Sequence, residues 1–161
     1  MDFTGLYRRY APDVFRFALH LTGNRAVAED IASETFVRAW TARDRLRAVT
    51  VKGYLLMIAR NLYRDSLRGP DGREVAVPID APDPASGPEA SASARSDLAT
   101  VLERLLRLPE LDRSILVMAG IEQLAYDEIA SIVGLSVAAV RVRVHRARLK
   151  IQDPKHDKER V

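Results

Sequence analysis

The 161-residue chain has no cysteine, a single tryptophan and only 6% aromatic residues. The missing cysteine excludes disulfides and thiolate metal sites. No apolar run approaches the length of a membrane span, and charges are scattered through the opening residues MDFTGLYRRYAPDVF, so nothing there is built like a signal peptide. A Gly-rich phosphate loop is absent, and no nucleophile stands at a recognisable spacing from a base, which leaves no enzyme reading. No strand alternation competes with helical periodicity, and no heptad seam argues for a coiled-coil dimer. The expectation is an all-α, cytoplasmic protein, monomeric when free, with no cofactor, no metal and no membrane insertion.

What is present is charge, unevenly placed. The net charge of +3 and pI of about 9.4 are only mildly basic. Between Ser136 and Ile151, however, stand Arg141, Arg143, Arg146, Arg148 and Lys150 with no acidic residue. Helix-stabilising ion pairs therefore did not select this pattern, and an anionic partner is the simpler reason. The preceding segment prepares a second short helix. Asp127 is a candidate N-cap, Ile129, Ala130, Ile132 and Val133 lie on one side, and Gly134 supplies the freedom that a sharp turn needs. Ser136 is the expected N-cap of the basic helix. At 100° per residue, Val137, Val140, Val144, Ala147 and Ile151 share one stripe, and Ala138, Arg141, Val142, His145, Arg146 and Leu149 face away from it. Two capped helices around a glycine turn, the second basic, form a helix-turn-helix of the kind that enters the DNA major groove. His145 has no Cys, His or carboxylate at ligand spacing, so it suits a phosphate or solvent contact better than a metal.

From Gly69 to about Ser93, five prolines fall among Gly, Ala, Ser and Asp. Such a composition neither holds a helix nor buries a core. The periodicity predicts helices at about 2–22, broken or bent near Pro12, at 25–41 and at 51–68. It predicts four more at about 95–107, 110–121, 126–133 and 136–151. The fold expected is an N-terminal three-to-four-helix bundle (1–70), a flexible Pro-rich linker (71–94), a four-helix domain with the helix-turn-helix (95–152) and a disordered tail (153–161). Each module is small, so their relative position is expected to be set by a partner and not by mutual contact.

In the helix from Asn24 to Thr41, Ala28, Ile31, Ala32, Thr35, Phe36 and Ala39 form an apolar face, while Asp30, Ser33, Glu34 and Val37 lie opposite. Val37, ringed by carboxylates, fits a small protein-contact patch or an ordinary solvated apolar residue. Glu29, Asp30 and Glu34 on one helix offer too few converging ligands for a metal.

Four segments together carry a resemblance: AEDIASETFVRAW (Ala28–Trp40), IARNLYRDSLR (Ile58–Arg68), LPELDRSILVM (Leu108–Met118) and the helix-turn-helix ending VHRARLK. In this order they resemble a bacterial extracytoplasmic-function (group IV) RNA polymerase sigma factor, and the likeness covers nearly all of the chain outside the linker. The resemblance implies that 1–70 binds core RNA polymerase and recognises and melts the −10 promoter element, while 95–152 reads the −35 element. It implies core-polymerase contacts at Asp30, Ser33, Glu34, Val37 and Arg38. It implies −10 contacts at Arg43, Arg45, Arg47, Tyr54, Arg60, Asn61, Arg64, Asp65 and Arg68, and −35 contacts at Ser136, Ala138, Ala139, Arg141, Val142, Arg143, His145, Arg146 and Arg148. Partners are then core RNA polymerase, promoter DNA and an anti-sigma factor. Val51 and Leu56 occupy places often aromatic in the family, and Ala139 and Val142 places often held by Thr, Gly or Ser. The other reading of the residues is a helix-turn-helix repressor or activator with an N-terminal dimerisation or sensing bundle, which leaves the Asp30/Glu34 face and the arginines of Ile58–Arg68 without a task.

Overall fold

The computed structural model describes residues 2–42, 50–68 and 92–152, with the side chains of 92–96 excepted. Among these residues there are seven helices and no strand: α1 (Phe3–Thr22), α2 (Arg25–Thr41), α3 (Val51–Ser66), α4 (Ala92–Arg107), α5 (Glu110–Gly120), α6 (Tyr126–Val133) and α7 (Val137–Gln152). The predicted spans match to within about three residues, because most ends carry a local signal. Asp2 caps α1 by accepting from Gly5 N at 2.7 Å. Asn24 Oδ1 accepts from Val27 N at 3.0 Å to cap α2, and Thr50 Oγ1 accepts from Gly53 N at 3.0 Å to cap α3. Gly23 closes α1 in the left-handed region at φ 63°, a conformation glycine adopts without strain.

Two local expectations are corrected. Helix α1 is not broken at Pro12, which is exposed and lies inside the continuous helix. Asp127 does not cap α6: Ala125 holds the N-cap position with no side-chain hydrogen bond, and Asp127 in the first turn accepts from Glu128 N at 2.8 Å. Asp127 and Glu128 instead favour the positive end of the helix dipole. The predicted linker falls largely on residues outside those described, and α4 begins at Ala92, three residues before the predicted start at 95.

The N-terminal unit buries Val14, Phe17, Leu21, Phe36, Leu55 and Leu56 between α1, α2 and α3. In the C-terminal unit Ile115, Met118, Ile129, Val140 and Val144 join α5, α6 and α7. The two units touch, contrary to the expectation that a partner alone would set their placement. Buried Arg113 of α5 donates through Nη1 to Leu21 O and Tyr63 Oη, each at 2.6 Å, and through Nη2 to Leu108 O at 2.9 Å. Glu122, whose side chain is 0% exposed, receives Arg16 through two hydrogen bonds of 2.9 and 2.7 Å and lies 3.3 Å from Lys52 Nζ. A carboxylate buried that fully needs such pairing, since unpaired it would lose its hydration without return. The bond to Glu122, chiefly, lifts the Arg16 guanidinium further above its ordinary range, against the opposing effect of burial.

Candidate nucleic-acid interface

Helix α7 is set by its cap and its stripe. Ser136 Oγ accepts from Ala139 N at 3.1 Å, and Gly134, at φ 74°, makes the turn from α6. Val140, Val144 and Ala147 are buried against α5 and α6, with Val137 and Ile151 half-buried. The opposite side is open: Ser136, Ala138, Arg141, Val142, His145, Arg146 and Arg148 are exposed, and Ala139 is half-buried. Arg143 stands apart from that set, because its Nη1 donates to Asp112 of α5 at 2.8 Å. The far end of the helix is held too, Arg104 donating to Ile151 O at 2.7 Å. A rigid helix therefore presents cations and methyl groups together, the combination that reads guanine edges and thymine methyls in the major groove.

Helix α3 presents a second polar face. Asn61, Arg64 and Asp65, at positions i, i+3 and i+4, are exposed, as is Arg68 two residues beyond the helix end. Two of the expected −10 residues on this helix lie elsewhere. Tyr54 is buried at 9% exposure in the core beside Leu55 and Leu56, and Arg60, at 5%, is bound by Glu110 at 2.7 and 3.2 Å. Arg43, Arg45 and Arg47 lie outside the described residues. No group of three His, Cys, Asp or Glu side chains among the described residues could hold a metal ion.

On α2, Asp30, Ser33, Glu34, Val37 and Arg38 are all exposed, Val37 at 53%, and Glu34 pairs with Arg38 at 3.2 Å. Sequence reasoning missed the neighbours of this patch. Phe3 and Tyr7, 39% and 47% exposed, stack at 6.3 Å between ring centroids; Phe3 meets Trp40 edge-on at 5.7 Å and Tyr7 meets Phe36 at 5.1 Å. Phe3, Tyr7 and Val37 are thus exposed apolar side chains of the same N-terminal helices. The i, i+4 spacing of Phe3/Tyr7 and of Phe36/Trp40 was the available signal.

Residues 6–72 match the family model for sigma-70 region 2, and residues 98–151 match that for sigma-70 region 4. SigE of Mycolicibacterium smegmatis, an extracytoplasmic-function RNA polymerase sigma factor, is 34% identical over 96% of the chain. The chain belongs to the extracytoplasmic-function sigma factors. It spans 62% of the length of SigE, whereas it spans 87% of the sigma factor CarQ of Myxococcus xanthus, 32% identical over 94% of this chain. Among solved structures, the sigma factor RpoE in complex with the anti-sigma factor NepR from Bartonella quintana shares the fold, with a TM-score of 0.75, 24% identity and 94% of each chain covered. In this sigma factor the region-2 match holds α1, α2 and α3, and the region-4 match holds the exposed face of α7.

Proposed function

We propose that this sigma factor directs core RNA polymerase to specific promoters as a non-catalytic, cytoplasmic initiation subunit. The observation that carries the reading is the order of the two sigma-70 regions along one chain, the second ending in a capped helix with an open face free of acidic residues. In this reading the unit 95–152 grips the −35 element through Arg141, Arg146 and the apolar Ala138, Ala139 and Val142. The unit 1–70 meets the −10 element through Asn61, Arg64, Asp65 and Arg68, joined by residues 43–50. Core polymerase docks on Asp30, Ser33, Glu34, Val37 and Arg38, with Phe3 and Tyr7 widening the apolar contact. An anti-sigma protein would hold the chain inactive by covering both units.

Fluorescence anisotropy of the labelled protein against core RNA polymerase tests the reading. Tight binding to the core is expected, weakened at least about tenfold by Val37→Asp, since a buried interface carboxylate lacks a partner. A protein that ignored the core while binding one DNA duplex specifically by itself would be a repressor or activator.

A further inference from the structure

The open face of α7 carries donors and methyl groups and almost nothing that accepts a hydrogen bond. From Val137 to Ile151 the helix has no Ser, Thr, Asn, Gln, Asp or Glu. Its arginines and Lys150 donate and cannot accept, which leaves the imidazole of His145 as the one side chain of that run with an acceptor nitrogen. Ser136 Oγ, just before the helix, is taken by Ala139 N at 3.1 Å. The centre of the face is apolar. At 100° per residue Ala138, Val142 and Leu149 fall within about 40° of one another, opposite the buried Val140, Val144 and Ala147. Val142 is 46% exposed and Leu149 41%, and a groove of about 620 Å³ runs beside them, lined also by Ala138, Ala139 and Arg146. Singly, exposed apolar residues are ordinary; a line of them down the middle of a cationic face is a surface for an apolar group of the partner.

Base edges in the major groove differ in kind. Guanine offers two acceptors, which suit arginine; adenine and cytosine each offer an amino group, which only an acceptor reads; thymine offers a methyl group. We propose that α7 reads its DNA element as a pattern of guanines and C5-methyl groups, leaving the adenine and cytosine amino groups unread, and therefore favours 5-methylcytosine over cytosine wherever it takes thymine. The proposal rests on the promoter reading only in so far as α7 faces DNA.

The methyl carbon is the deciding group on such a stripe. Thymine and 5-methylcytosine carry it at C5, whereas uracil and cytosine do not. Val142 and Leu149 are removed from water when it covers them, and one buried methyl is worth about fourfold in affinity. Arg141 and Arg146 flank the stripe on its two sides and keep their donors for guanine O6 and N7. Arg143 is withheld by Asp112 at 2.8 Å. A methylated cytosine followed by guanine sets a methyl group beside two acceptors, the pair that Val142 and Arg141 suit together.

A randomised duplex library copied with ordinary nucleotides, with dUTP in place of dTTP, or with 5-methyl-dCTP in place of dCTP is selected on the full-length protein, alone and with core RNA polymerase, and the retained DNA is sequenced. Each preferred thymine copied as uracil should lose about fourfold in enrichment, and 5-methylcytosine should exceed cytosine by a similar factor at the same places. Val142→Ser should flatten both differences and keep the guanine preferences of Arg141 and Arg146, which also shows that the variant is folded. In the selected duplex, purine in place of adenine removes the amino group and should leave affinity within about twofold, since no bond is lost. A uracil library enriched as strongly as the thymine library, 5-methylcytosine no better than cytosine, or a larger loss with purine, which would make His145 an acceptor, would overturn the proposal. A library left unenriched in both arms would overturn it too, because α7 would then read no base. Core polymerase that added nothing to the selection would count against the sigma reading and leave the methyl comparison standing.

Discussion

Among the cations of α7, exposure separates the proposed base readers from Arg143. Arg141 and Arg146 stand on the open face, whereas Arg143 is tied to Asp112 at 2.8 Å. Arg141→Ala is expected to cost about 1–3 kcal/mol and relax preference at one base, while Arg148→Ala weakens all sequences alike, as a phosphate contact would. A binding array resolves the two patterns. Asp112→Asn should release Arg143 to the DNA, raising affinity for any duplex and steepening the salt dependence by about one unit of log–log slope. A titration in salt reads that change. The charge of Arg143 was plain in the sequence, but its partner lies 31 residues away on another helix. No local pattern announces such a pair.

Helix α7 and its turn were legible because their signals are local: a cap, a glycine and a stripe. Asp127 misled because Asp at a helix start serves equally as N-cap or first-turn residue, and only the backbone at Ala125 distinguishes them. Tyr54, one of the chain's few aromatic side chains, is buried in the core, where large apolar area matters most, and its burial could not be read from the family pattern. The turn gives a clean stability test. At Gly134, φ 74°, an added Cβ meets nothing within 4 Å, so Gly134→Ala should cost about 1 kcal/mol through backbone conformation alone. Ser136→Ala should cost about 1 kcal/mol by leaving the Ala139 N–H without its acceptor. Thermal denaturation of each variant reads these losses, and far-UV circular dichroism should show the fold retained.

At the scale of the molecule, the sequence revealed the helices and concealed how distant ones meet. Arg16 and Glu122 are 106 residues apart, and each reads as an ordinary surface charge until the fold brings them together. Only the burial of Glu122 distinguishes that pair from the solvated i, i+4 pairs such as Glu103–Arg107. The whole protein combines an exposed patch on α2, a polar face on α3 and a basic open face on α7, and the proposed promoter reading gives all three a common use. The direct test is run-off transcription on promoter-bearing genomic fragments with core RNA polymerase, with and without the protein. The expected result is new transcripts whose start sites share a common pair of upstream elements, appear only when both proteins are present, and shift in preference with Arg141→Ala. Transcripts identical to those of core polymerase alone would contradict it.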